Sequence, residues 1–279
     1  MADIFPMTGW IQSLDQRMND QPMLARALPY LVYVLLLSGV AAAVSWQVWT
    51  YPILYFLQCL LVAWLLWRYR GLTPELTISF HWLAVPVGVL VAVIWVALGR
   101  MMIHLWPDQF AATEPHNFEK MTPQVKWISL SLRVLGMSLL VPLFEELFIR
   151  SLLLRALHDA KKTAAGIVHM ACDLPGIGDH LMQTRVAAWA EQYENVFHDQ
   201  FHNTPLGKLS LFGVMASTIL FTLGHGLRDW PGAIVCGVLY CLLLAATRHK
   251  GLGPVVWAHG ITNFLLFIYC MHTQDWQFL

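Results

Sequence analysis

Seven apolar runs, separated by polar stretches of which two are long, organise the chain: 28–47, 50–67, 80–99, 134–157, 209–229, 231–247 and 252–272. Each comes near the roughly 20 residues that an α-helix needs to cross hydrocarbon. The runs are unbroken, where a transmembrane barrel would alternate apolar and polar positions. The pattern therefore predicts an all-α fold, a polytopic membrane helical bundle of about seven spans, with eight as the open alternative. Arg133 sets the start of the fourth run. Pro86, Pro142 and Pro254 fall in or at the ends of runs, and neighbouring helices must satisfy the carbonyls they free. Residues 1–126 read as N-terminal membrane helices plus an extracytoplasmic loop, 100–126, that carries Pro107, Pro115 and Pro123. Residues 127–279 read as the membrane core, interrupted by a 158–208 insertion. Within it, Leu181 to Phe201 places Val186, Trp189, Tyr193, Val196 and Phe197 at helical spacings, which predicts an amphipathic element lying along the membrane surface.

Composition agrees: 57% of residues are hydrophobic and 12% charged, against about a quarter charged in soluble domains. The lipid bilayer is thus the first partner. A formal net charge of zero gives no electrostatic footprint for nucleic acid, and that class is set aside. Cys59, Cys172, Cys236, Cys241 and Cys270 show no CxxC spacing and read as small buried hydrophobes. Trp46, Trp49, Trp67, Trp106, Trp127, Trp230 and Trp257 lie near the ends of runs, as in an interfacial aromatic belt. The first 27 residues are polar, and the first run is long enough to stay as an uncleaved helix. With the N-terminus inside, inner segments carry eleven Lys and Arg against four outside, which favours that orientation. The short, cysteine-poor chain leans towards a prokaryotic cytoplasmic membrane.

The polar residues inside the runs change the picture. Glu145, Glu146 and Arg150 sit within the fourth run, where one ionised carboxylate costs roughly 3 kcal/mol. Glu146 and Arg150, four apart, share a helix face; Glu145 lies about 100° away. The plain account is one structural ion pair and one spare acid lining a wet cavity; the sharper one is a buried catalytic base. His225 sits in the fifth run, His259 and Asn263 one turn apart in the seventh. Pointing the two glutamates, the two histidines and the asparagine at one shared cavity removes a cost that each would bear alone. At about 1.5 Å per residue, Glu145 and Asn263 fall near midplane, but His225 falls roughly 6–9 Å outward. One layer therefore requires the fifth helix to be shifted or tilted.

Glu-Glu-x-x-x-Arg (Glu145, Glu146, Arg150), Phe-x-x-x-His (Phe221, His225) and His-x-x-x-Asn (His259, Asn263), in that order on separate helices, resemble the CPBP intramembrane proteases. That family includes the Ras-converting CAAX prenyl endopeptidase and the bacterial Abi proteins. The resemblance covers about residues 127–272, with an insertion longer than the family leads one to expect. It implies peptide-bond hydrolysis near the C-terminus of a membrane-anchored protein or peptide substrate, embedded or lipid-linked. Glu145 would be the general base, with His225 holding the attacking water. His259 and Asn263 would donate to the tetrahedral oxyanion. Glu146 and Phe221 would support, and Arg150 would neutralise Glu146 or orient the substrate's C-terminal carboxylate. No cofactor is firmly implied. Zinc held by His225, His259 and a glutamate is the rival mechanism, although Asn263 is a poor zinc ligand and no HExxH is present. His198 and His202 imitate a shortened metal motif but read as a solvated helix end. A non-catalytic immunity or scaffold protein and an ion-coupled transporter are the rival classes; the complete motif set and the lack of an internal repeat count against them.

Overall fold

The computed structural model describes residues 9–110 and 120–278. Helices α1 (Gly9–Asp20), α2 (Pro22–Trp46), α3 (Tyr51–Arg68) and α4 (Ala84–Leu105) precede the long α5 (Pro123–Ala156). The insertion forms α6 (Ala160–Cys172), α7 (Gly178–Leu181), α8 (Arg185–Ala190) and α9 (Val196–Asn203), and α10 (Leu211–Leu223), α11 (Trp230–Thr247) and α12 (Gly253–Thr273) complete the chain. Among the described residues there is no strand. The expected bundle is thus observed, with a helix for each of the seven apolar runs. In the 100–126 loop, residues 111–119, including Pro115, lie outside the described residues, as do residues 1–8.

Three boundaries differ from the pattern. The fourth run belongs to a helix that starts at Pro123, with extended Thr122 before it, so Arg133 lies well inside α5. The fifth run yields only 13 helical residues, about 20 Å of rise, and ends at Gly224 because a turn leads into a 3₁₀ segment at Leu227–Asp229. The stretch Leu181 to Phe201 is broken between Ala190 and Val196, where Asn195 takes a left-handed conformation, φ 46°. Its two short helices bury Ala187, Ala190, Val196 and Phe201 against the rest of the insertion and α5.

Of the prolines flagged in the runs, Pro86 and Pro254 fall in first turns, where the N–H has no helical partner anyway. Pro142 is interior to α5 and acts differently. The helix widens into π-turns over Gly136–Leu140 and again over Leu147–Leu153, on either side of the glutamate pair. Such turns often mark functional positions.

The main core joins α4, α5, α11 and α12 through Val91, Leu147, Ile149, Tyr240, Leu244, Val255 and Ala258. Gly88 makes the close approach of α4 to α12 possible, since a Cβ there would lie 2.6 Å from the Ala258 carbonyl oxygen. A second cluster packs Tyr33, Tyr55, Leu130, Phe144 and Cys270. Large apolar side chains on the outside, including Leu35, Leu57, Val93, Leu139 and Leu242, remain exposed, as lipid-facing surfaces require.

A buried charge cluster beside this core is not visible in the sequence. Arg26 of α2 clasps Glu75 bidentately at 2.6 and 2.9 Å and donates to the Pro22 carbonyl at 2.7 Å. The Ser151 hydroxyl of α5 donates to the same carboxylate. Burial pushes the Glu75 carboxyl up, but the Arg26 guanidinium and Ser151 outweigh it and hold the group below its ordinary value. Arg26 and Arg155 both lie over the Phe201 ring, at 4.8 and 4.1 Å, which fastens α9 to α2 and α5.

Candidate functional site

The glutamates separate as their offset of about 100° demands. Glu146 turns inward and is fully buried beside Arg150, whose Nε lies 3.2 Å from its Oε2. Arg150 is fully buried as well, held between the rings of Phe221 (4.8 Å) and Tyr240 (5.4 Å). This contact is what Phe221 supplies: a π-face for a cation with no water around it. Arg150 does not line the cavity, so the alternative in which it orients a substrate carboxylate is not supported. Glu145 turns the other way, retains 16% side-chain exposure, and lines a cavity of about 270 Å³.

His225, His259 and Asn263 line that same cavity. The short α10 ends at Leu223, and His225 enters the cavity from the turn that follows it, so the groups share one cavity despite the offset along the fifth run. His225 Nδ1 lies 2.9 Å from the Phe221 carbonyl oxygen. A carbonyl can only accept, so Nδ1 carries the hydrogen and Nε2 of the neutral ring keeps a lone pair. Trp95 meets the ring edge-on at 5.3 Å and fixes its plane further.

His259 stands between the two carboxylates. Its Nδ1 is 2.7 Å from Glu146 Oε1, and its Nε2 is 3.6 Å from Glu145 Oε2. The short contact makes Nδ1 the donor and sets the tautomer. The longer one exceeds a hydrogen bond; with the ring neutral, it sets the Nε2 lone pair opposite a carboxylate.

Asn263 has a structural duty that follows from Pro142. The Val141 N–H bonds to the Gly136 carbonyl, one residue further back than in an α-turn. The Met137 carbonyl thereby loses its usual partner, and Pro142, next in line, has no N–H to offer. Asn263 Nδ2 fills the deficit with a 2.6 Å hydrogen bond to Met137 O, which leaves its second N–H for the cavity. Gly260 of α12 packs directly against the same stretch of α5, where a Cβ would lie 2.6 Å from the Ser138 carbonyl oxygen.

Among the described residues, no three His, Cys, Asp or Glu side chains converge as metal ligands. His225 and His259 could each offer an Nε2 to a metal, with Glu145 in the same cavity as the third ligand a catalytic zinc site needs, but the three do not converge as ligands do. No step below runs through a metal, and zinc is the rival that chelation tests. The rings of His198 and His202 lie 4.3 Å apart on α9, and no third ligand among the described residues converges on them.

Sequence reasoning missed three contributors. Tyr240 reaches Thr262 at 2.7 Å, and Thr262 donates to the Gly88 carbonyl at 2.8 Å, which ties α11 and α12 to α4 behind His259. The Tyr30 hydroxyl lies against Gly224, and its ring stacks on Phe148 at 4.3 Å. Arg133 lines the cavity; its position beside an apolar run is the signal the sequence offers.

A profile of the family described as type II CAAX prenyl endopeptidase Rce1-like matches residues 182–265. That segment, under a third of the chain, contains Phe221, His225, His259 and Asn263. Glu145 lies upstream of it and reaches the same cavity through the fold, with Glu146 and Arg150 packed behind. No curated protein and no solved structure matches the chain. With its long apolar helices the chain is an integral membrane protein, and over residues 182–265 it is similar to the Rce1-like CAAX-protease family.

Proposed function

We propose that the protein is an intramembrane endopeptidase that hydrolyses a peptide bond near the C-terminus of a membrane-embedded or lipid-anchored substrate, using water activated by Glu145. The observation that carries this reading is the pairing of His259 Nε2 with Glu145 Oε2 at 3.6 Å. Both atoms are acceptors once Glu146 has fixed the tautomer of His259. A water that donates one hydrogen to each resolves the mismatch and leaves its own lone pair free to attack. Glu145 takes the proton as the oxygen–carbon bond forms and returns it to the leaving nitrogen as the carbon–nitrogen bond breaks. The free N–H of Asn263 faces the developing oxyanion, and His225 Nε2 accepts a hydrogen bond from water or from a substrate N–H. Glu146 and Arg150 act through His259 and do not touch substrate.

The Lys and Arg distribution supports an N-terminus inside, and the overall composition supports a prokaryotic cytoplasmic membrane. The test is cleavage of lipid-anchored peptides by purified protein beside Glu145→Gln. Product from the wild type alone is expected; equal product from a folded Glu145→Gln protein overturns the assignment.

A further inference from the structure

We propose that Arg133 binds the C-terminal carboxylate of the peptide being cleaved, an inference that rests on the proteolytic reading above. Six acidic, basic or histidine side chains line the cavity: Arg133, Glu145, His225, Arg228, Asp229 and His259. Arg228 and Asp229 neutralise each other through contacts at 2.9 Å, and Arg228 also donates to the Gln277 carbonyl. Glu145 faces His259. Arg133 has no carboxylate partner among the described residues. Its Nη1 donates weakly to the Tyr51 hydroxyl at 3.4 Å, its Cζ lies 5.8 Å from the Tyr55 ring, and its Nε is buried with no hydrogen-bond partner.

A guanidinium held inside an apolar bundle with an unused donor calls for an anion. One guanidinium, with phenols rather than further cations around it, matches a single carboxylate held by two parallel N–H donors. A phosphate, with its greater charge, would call for more than one cation. Arg133 stands twelve residues before Glu145 on α5, about 18 Å along the helix axis. Extended chain covers about 3.5 Å per residue, so the carboxylate would lie at most about five residues beyond the scissile bond. Arg133 would thereby act as a ruler, selecting substrates by the distance from the cleaved bond to the chain end.

The test measures binding and turnover separately. A fluorescent lipid-anchored peptide is prepared with a free C-terminal carboxylate and as its C-terminal amide. Affinity for the full-length protein in phosphatidylcholine nanodiscs is read by anisotropy, and cleavage by mass spectrometry. The wild type is expected to bind the acid about 10- to 100-fold more tightly than the amide, the range for a hydrogen-bonded charge. Arg133→Gln is expected to bind both as weakly as the wild type binds the amide. The acid–amide comparison on the wild type needs no variant, so a misfolded Arg133→Gln does not spoil it. Equal affinity of the wild type for acid and amide overturns the proposal, and a gain on adding anionic lipid would then assign Arg133 to a headgroup. Acid preference without any cleavage would keep the carboxylate site and sink the proteolytic reading. Cleavage without acid preference would do the reverse.

Discussion

Replacing each of the adjacent glutamates with glutamine should produce opposite results, because one faces the cavity and the other faces Arg150. Glu146→Gln preserves shape but leaves Arg150, fully buried, without its counter-charge. Breaking a buried pair typically costs about 3–5 kcal/mol. The rings of Phe221 and Tyr240 over Arg150 are present in both proteins and leave that difference unchanged. A loss of at least about 3 kcal/mol is expected, which for a chain of this size is on the order of 6–12 °C in Tm. Glu145→Gln removes a partly exposed carboxylate whose contact with His259, at 3.6 Å, is too long for a hydrogen bond, so stability should move by no more than about 0.5 kcal/mol. Its cost falls on the rate instead, about 10²- to 10⁴-fold for a lost general base. Thermal unfolding in nanodiscs and peptide turnover, measured on the same preparations, separate the two. Equal thermal shifts for both variants, or a larger shift for Glu145→Gln, would refute the division of labour drawn from the geometry.

Other expectations are narrower. Asn263→Ala should lower turnover about 100-fold through the lost oxyanion donor and cost about 1–3 kcal/mol by orphaning the Met137 carbonyl; a rate loss without a stability loss would remove the structural half of that account. Gly260→Ala should destabilise the protein by about 1–3 kcal/mol, because the added methyl meets the Ser138 backbone and cannot displace it cheaply; unchanged Tm would count against the close approach. Turnover should survive a strong zinc chelator, and loss restored by added zinc would move the site to metal chemistry. Glu75, held below its ordinary value by Arg26, contributes stability above the unfolded carboxylate range that is lost as pH falls through its lower folded value. Arg26→Gln should flatten that acid limb of the Tm profile, and an unchanged limb would show that other groups dominate it.

The spans, the three motifs and the opposed faces of Glu145 and Glu146 can be read from the sequence because each is a local, periodic property. What cannot be read depends on where helices end and what meets them. The apolar pattern carries the fifth run through to Asp229, whereas the helix ends at Leu223 and His225 lies on the turn beyond it. Gly224 and Gly226, on either side of the histidine, are the turn signal that shortens it. Leu181 to Phe201 keeps helical spacing through a break that only the left-handed Asn195 reveals. Arg133 marks a membrane edge in the sequence, yet α5 begins ten residues earlier and carries it into the cavity.

The link between the motifs is a backbone defect that no side-chain pattern records. Pro142 lies three residues before Glu145, and the π-turn ahead of it strips the Met137 carbonyl of its helical partner. Asn263 restores that partner from α12, and in doing so it sets the register of α12 against α5. One helical turn earlier on α12, the same register brings His259 within 2.7 Å of Glu146 and within 3.6 Å of Glu145. Shifting α12 by a single residue would rotate His259 by about 100° and remove it from both carboxylates. The asparagine that would receive the oxyanion is therefore also the bolt that aligns the imidazole with its base, and the Met137 carbonyl is what it is bolted to.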